Sequence, residues 1–466
     1  MTLIYSPNDI NNPSKPRTVV LGLDGLPFSL AKKLAPHLPA LATLMNKADL
    51  EKNTDLLSAS RPIQAEIPEL SPVNWTSFFT GLPPQNHGVF GFVRMDPMHY
   101  TLSITDTTHV AAPTIFDKLG EQGKFSKIIN LPNTYPARPM AGMLISGFVA
   151  HDLSKAVHPP VLYPMLRNVG YKLEADTNKG STDLPYLIEE LESTLEGRTK
   201  ALELFWPDLS WDLFVFVLTE TDRLFHFFYP AVEDFNHPQH TACMAFLKKW
   251  DALIQTVLDN YNALPEPKRL VVLADHGFTT LKTEVDINCW LQDNGFLHLA
   301  PSATVNTTNA ENAQWEATRI TSATKAFALD PGRIYIHRKG VYARGAVPPA
   351  EEQQLRDKLI AGLKNISYNN EKVMEHVYTR DEIYDGPYKE LAPDIVCVPK
   401  AGYDLKAKFD RTELFSHHGR YGTHTVEDAF FYDSAELQGI AKVHQVGASI
   451  LRWFESHTFS PPDEIG

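Results

Sequence analysis

The chain of 466 residues carries 43 basic and 56 acidic side chains, a net charge of −13, with 43% hydrophobic and 21% charged residues. It is too long for one minimal domain, and its composition is that of a globular protein rather than a disordered one. An excess of acid excludes a bulk electrostatic grip on nucleic-acid phosphates or on an anionic membrane surface. If the chain handles phosphate, a metal site is the obvious source of attraction. Cys243, Cys289 and Cys397 lie far apart with no CxxC pair. They read as buried free thiols, not as a disulfide framework or a thiolate zinc site. The opening MTLIYSPNDINNPSKPR has no charged start followed by an apolar run, so it is not a signal peptide. No apolar run approaches the roughly 20 residues of a membrane span. The expectation is a soluble cytoplasmic protein.

Residues 1–16 are polar and rich in Pro and Asn, and read as a loose arm. TVVLGLDG reads as a buried strand over 18–23 that ends in Asp24 and a glycine. A helix-like stretch follows over 28–46, broken by Pro36 and Pro39. Residues 92–182, rich in Pro, Met and Tyr, read as an irregular inserted cover over a crevice. Helix-like stretches over 184–205 and 242–261 flank a second apolar run over 213–218, which ends near Asp222. A third run over 270–274 ends in Asp275. Unbroken apolar runs suit strands buried on both faces of a parallel sheet, and such sheets bind ligands beyond their carboxyl ends.

Residues 283–410 include a polar stretch, PSATVNTTNAENAQWEATR. They continue with strand-like GRIYIHRKG, helix-like PPAEEQQLRDKLIAGLKNI, then EKVMEHVYTRDEIY and PDIVCVP, the pattern of an inserted α+β subdomain. The expected fold class is α/β: a central, mostly parallel sheet with helices on both faces. Its core would be built from 17–91, 183–282 and 411–458, with insertions at 92–182 and 283–410.

Five patterns carry chemistry. Asp275-His276-Gly277 offers a carboxylate and an imidazole at one strand end, although a capped turn has the same sequence. Asp222 and His226, four apart, share a helix face and make a metal-ligand pair, or else an N-cap and a packed histidine. Asp24 alone is also a common strand-to-turn acid. In SPVNWTSFFTGLPPQNHGVFGF the Ser71 hydroxyl stands at a helix start, where backbone N–H groups favour anions, or simply caps the helix. His87 in the same block suits a turn. HHGRYGTHTVEDAFFY gathers His417, His418 and His424 in a Gly-rich loop, a place that also tolerates histidines without function. Together, three acids, their neighbouring histidines and one hydroxyl suffice for two cations sharing a nucleophile.

At these residues the chain resembles the alkaline phosphatase superfamily, and within it the type I phosphodiesterase/nucleotide pyrophosphatase family in its bacterial and archaeal branch. The resemblance rests on GLDG, NWTSFFTGLPPQNHGVFGF, TDRLFHFF, LADHGF, GRIYIHRKG, YDGPYKELAPDIV and the late GTH, in the family's order. Residues from about 100 to 200 match none of its motifs. The resemblance implies that Asp24, Asp275 and His276 bind one metal, bridged by Ser71, and that Asp222, His226 and His424 bind the second. It implies Ser71 as nucleophile, through a covalent phosphoseryl intermediate, and Asn74 as donor to a nonbridging phosphate oxygen. The family's nucleotide pyrophosphatases usually have threonine where Ser71 stands. With nitrogen and oxygen ligands, Zn2+ fits first and Mn2+ second. The expected activity is hydrolysis of phosphodiester or pyrophosphate bonds in small, nucleotide-type substrates, with no nucleic-acid groove, no membrane partner and an open oligomeric state. The alternatives are a phosphomonoesterase or phosphomutase on the same metal core, and a non-catalytic binding protein on the same scaffold. Arg94, Arg223 and Arg420 are candidate phosphate clamps that sequence cannot place.

Overall fold

The computed structural model describes residues 15–45, 59–301 and 316–457. The expected loose arm, and most of the polar stretch PSATVNTTNAENAQWEATR, fall outside the described residues. The chain divides into two units. The first takes the described residues of Met1–Pro83, Asp106–Phe278 and Thr425–Gly466, and the second takes those of Pro84–Thr105 and Thr279–His424.

The first unit is built on an eight-stranded sheet. Its strands are β1 (Arg17–Leu23), β2 (Ser60–Ile63), β3 (Ser126–Leu131), β4 (Gly142–Ser146), β5 (Val157–His158), β6 (Leu213–Leu218), β7 (Lys268–Leu273) and β8 (Ala429–Asp433). Their spatial order is β2-β8-β7-β1-β6-β3-β4-β5. The five strands from β7 to β4 run parallel; at the edges β8 runs antiparallel to β7, β2 antiparallel to β8, and β5 antiparallel to β4. Every residue of β1 and β6 is buried. That burial on both faces is why these strands read as continuous apolar runs rather than alternating ones. The register places Leu23 opposite Leu218 and Gly22 opposite Leu273. The carboxyl ends of β6, β1 and β7 therefore finish nearly level, and the chain leaves all three strands at one edge of the sheet.

Flanking helices include α1 (Ser71–Thr80), α2 (Leu184–Phe205), α3 (Glu220–Glu233), α4 (His240–Asn262) and α5 (Val443–Ser456). α2 buries Leu184, Leu187, Leu191, Leu195, Leu202 and Phe205, the three-and-four spacing of one apolar stripe. α1 is buried along all ten residues and packs on α5. That contact is close because Gly447 has no side chain: a Cβ there would stand 1.8 Å from the Phe78 carbonyl oxygen. The stretch broken by prolines becomes a helix over Phe28–Leu34, a 3-10 turn over Ala35–His37 and a helix over Pro39–Leu44.

Residues 92–182 differ from the expected irregular cover. Ser126–Leu131 and Gly142–Ser146 are strands of the main sheet, joined to it beside β6. Both are short runs between proline and glycine turns, where periodicity does not separate a buried strand from a packed loop. Residues 93–104 go instead to the second unit, as a hairpin of Val93–Met95 and Leu102–Ile104. There the Val93 carbonyl accepts from Arg333 at 3.2 Å, and the Tyr100 hydroxyl lies 2.6 Å from His337 Nε2.

The rest of the second unit matches the expected strand-helix-strand subdomain. Ala326–Leu329, Arg333–Ile336, Ile395–Pro399 and Met374–Thr379 form an antiparallel sheet against the helix Pro349–Leu363. Thr283–Asp286 lies between Tyr403–Lys406 and Phe415–Ser416 in a second sheet. Cys243, Cys289 and Cys397 are buried free thiols; burial pushes Cys243 and Cys289 up to about 12. Among the described residues no helix is long and apolar enough to cross a membrane.

Candidate active site

The level ends of β6, β1 and β7 bring three acids together. Asp24 follows β1 directly, Asp275 stands two residues past β7, and Asp222 lies in the first turn of α3 after β6. The joints between them are backbone-built. Asp24 N–H donates to the Leu218 carbonyl at 3.0 Å, Gly25 N–H to Asp275 Oδ1 at 3.2 Å, and Thr221 Oγ1 to the Asp24 carbonyl at 2.7 Å. All three carboxylates are buried, with 3%, 2% and 0% exposure for Asp24, Asp222 and Asp275.

Ser71 arrives on a separate element. It is the first residue of α1, with Leu70 at the cap position and Pro72 next, the usual place for a helix-starting proline. Its hydroxyl is thus not a helix cap; Oγ lies 3.2 Å from His276 Nε2. One turn along, Trp75 Nε1 donates to Asp24 Oδ2 at 3.1 Å. Gly22 makes room for that indole, since a Cβ on it would stand 2.6 Å from the ring.

His276 Nδ1 lies 3.0 Å from the Gly277 carbonyl oxygen. A carbonyl only accepts, so Nδ1 carries the hydrogen and Nε2 presents its lone pair. Burial lowers the pKa of this imidazole, Asp222 opposes that shift, and the net direction favours the neutral ring. Around Nε2 stand Asp275 Oδ2 at 3.4 Å, Asp24 Oδ1 at 3.9 Å and Asp222 Oδ1 at 3.9 Å. These are all electron-pair donors. Burial raises the Asp24 carboxyl well above its ordinary range, and the neighbouring Asp275 and Asp222 carboxylates raise it further. Asp24 Oδ1 is buried with no hydrogen-bond partner among the described residues. Donor atoms of Asp24, Asp275 and His276 all lie within 4.8 Å of one another. A pocket of converging lone pairs, short of protons to share, fits a divalent cation.

His226 stands on α3 one turn after Asp222, with Nε2 3.4 Å from Asp222 Oδ1 and its ring edge-on to Phe278. Thr219 holds the helix cap position, so Asp222 is not the cap. His424 is the last residue of the second unit, half-buried on the strand Gly422–Thr425, directly before the chain returns to the first. His417 and His418 are exposed. His87 is buried and serves a turn, accepting from Val89 N–H at 3.2 Å.

Asn74 departs from expectation. It is fully buried, its Oδ1 accepts from Glu66 N–H at 2.6 Å, and its Nδ2 donates to the carbonyls of Leu70 at 3.1 Å and Pro68 at 3.4 Å. Both amide hydrogens are committed to the loop that delivers Ser71, so Asn74 shapes that loop and does not face a phosphate oxygen. Of the candidate clamps, Arg94 and Arg420 belong to the second unit, whereas Arg223 touches the site, with Nη1 2.6 Å from Asp222 Oδ2. Trp75 and Thr221 are braces of Asp24 that sequence reasoning did not assign. Their only signal was position, in the same blocks as Ser71 and Asp222.

The profile of the type I phosphodiesterase / nucleotide pyrophosphatase family matches residues 18–425. No curated protein matches the chain significantly. Among solved structures, phosphonoacetate hydrolase from Sinorhizobium meliloti 1021, in complex with phosphonoformate, superposes with a TM-score of 0.58 at 17% identity. That match covers 94% of this chain and 95% of that one. Murine and human ectonucleotide pyrophosphatase / phosphodiesterase 5 superpose with TM-scores of 0.54 and 0.52, each at 13% identity over 94% of this chain and 95% of theirs. At such identities these likenesses establish the fold, a mostly parallel sheet flanked by helices; the family is established by the profile. The chain belongs to the type I phosphodiesterase / nucleotide pyrophosphatase family of the alkaline phosphatase superfamily, a metal-dependent family, and is a phosphoric ester hydrolase of that type.

Proposed function

We propose that the chain hydrolyses phosphodiester or pyrophosphate bonds of small, nucleotide-type esters, with Ser71 as nucleophile at a centre for two divalent cations. The observation that carries this reading is the 3.2 Å approach of Ser71 Oγ to His276 Nε2 among three buried carboxylates. Asp24, Asp275 and His276 would hold one ion, and Asp222, His226 and His424 would hold the other. When bound, the cations lower the hydroxyl pKa and neutralise charge that develops on phosphorus-bound oxygens. Zn2+ suits the nitrogen and oxygen donors first, and Mn2+ second.

Ser71 Oγ loses its proton to solvent water and attacks phosphorus. The bond from phosphorus to the leaving oxygen breaks, and a phosphoserine ester remains. Water then cleaves that ester and restores the hydroxyl. α1 directs its N-terminal N–H groups toward the same end as Ser71, which favours the anionic group being transferred. Trp75 and Thr221 keep Asp24 in place through both steps. Three buried thiols suit a reducing, cytoplasmic setting.

The rival reading is phosphomonoester hydrolysis on the same two-ion centre. The test is Ser71→Ala assayed on bis-p-nitrophenyl phosphate and p-nitrophenyl phosphate with added Zn2+ or Mn2+. Turnover should fall about 10³-fold or more on the better substrate, with metal content unchanged. Full activity in Ser71→Ala removes the serine from the mechanism. The wild-type ratio between the two esters decides between the readings.

A further inference from the structure

A line of charges leads away from Asp222 into the part of the first unit whose sequence matches no family motif. Arg223, the next residue on α3, donates Nη1 to Asp222 Oδ2 at 2.6 Å and Nε to Glu174 Oε2 at 3.0 Å. Its guanidinium lies 4.4 Å over the Phe148 ring. Two nitrogens and one face are thus engaged. A planar guanidinium held in that way has little freedom to turn, where a lysine ammonium on the same stem would swing. Asp222 keeps its other oxygen, Oδ1, toward His226 Nε2 at 3.4 Å and His276 Nε2 at 3.9 Å.

We propose that Arg223, clamped by Glu174 and Phe148, is a positioning residue. It holds Asp222 with Oδ2 engaged and Oδ1 presented to the histidines, so that the Asp222 end of the two-ion centre is formed before an ion arrives. Glu174 has a second task. An arginine beside a cation site repels the cation, and the Glu174 carboxylate offsets that charge at a direct contact. The pair therefore supplies direction with little net field. Glu174 and Phe148 gain a function by this route, although neither is placed as an ion ligand. An ordinary buried ion pair would brace α3 against the 148–174 segment and leave the two ion sites equally affected. The positioning role predicts an effect on one ion only. This inference rests on the two-ion reading above.

The experiment is a calorimetric titration of metal-free protein with Zn2+ and with Mn2+, checked by elemental analysis after dialysis. Wild type should take up two ions. Arg223→Met should keep one at wild-type affinity and bind the other about 10- to 100-fold more weakly, the usual range for groups that orient a ligand. Glu174→Gln preserves the hydrogen bond but not the charge, and should weaken the same ion by a smaller factor. Arg223→Lys, which cannot fork between two carboxylates, should not restore wild-type affinity. Two ions at wild-type affinity in Arg223→Met, or an equal loss of both, overturn the proposal. If Arg223→Met fails to fold, as judged by thermal melting of the metal-free protein, Glu174→Gln decides alone: unchanged affinities for both ions overturn it. No uptake by the wild type would instead sink the two-ion reading itself, and this inference with it.

Discussion

Buried acids occur in both units, and their company differs. In the second unit Asp394, 1% exposed, accepts from Arg338 and Arg380 and from Ile336 N–H at 2.8 Å. Asp330, half-buried, takes Lys408 Nζ at 2.5 Å. Burial pushes its carboxyl up, but Lys408 and Lys406 outweigh that, and its pKa ends below the ordinary value. In the first unit, Asp24 meets two further carboxylates and one arginine, and its pKa ends well above the ordinary value. A buried acid matched by its own cation is a brace; three buried acids that share one arginine hold more negative charge than the fold neutralises, which a bound cation would relieve. Burial alone does not separate the two cases; the balance of charge around each acid does.

The sharpest way to break this contrast is to neutralise an acid on each side. Asp275→Asn should cost the protein bound metal, read by elemental analysis, and lower turnover by orders of magnitude. The metal-free variant should melt no lower than metal-free wild type, because one of three repelling carboxylates is gone. Unchanged metal stoichiometry would refute the ligand assignment. His424→Ala should likewise lower bound metal. Asp394→Asn should do the reverse: it leaves Arg338 and Arg380 without their common carboxylate, so stability should fall by about 3 kcal/mol in denaturant titration while metal content holds. Loss of metal in Asp394→Asn would erase the distinction between the two regions.

A pH series sharpens it further. The Asp24 carboxyl, raised by burial and by Asp275 and Asp222, keeps its proton in the folded chain after the unfolded chain has lost it. Its contribution to stability is complete below the unfolded value of about 3.9 and is lost as pH rises through the folded value. On the proposed two-ion reading, a cation at Asp24 would have to displace that proton. The gain in Tm on adding Zn2+ or Mn2+ should therefore grow as pH rises and the raised Asp24 carboxyl ionises, by calorimetry. A gain that is flat or falls with pH contradicts the raised Asp24. The smallest effect is expected from Trp75→Phe. It removes one hydrogen bond to Asp24 Oδ2 and should weaken metal uptake by up to about tenfold.

The amino-acid sequence by itself determined the strands at 18–23, 213–218 and 270–274, the acids that end them and the long flanking helices. These are local properties: an apolar run buried on both faces, an acid at its end, a stripe every three to four residues. It also carried the family motifs that join Ser71 to those acids. Only the tertiary structure decided which partners each side chain has. Residues 126–131 are a sheet strand because they pair with β6, and residues 142–146 because they pair with that strand in turn, which no local pattern encodes. Asn74 turns to the loop at 66–70 because backbone carbonyls there claim its amide hydrogens. Arg223 became part of the site because a charge acts through contacts that close across 49 residues of chain, as between Arg223 and Glu174. Residue type sets what a side chain can do; the partners that folding brings within about 3 Å set what it does.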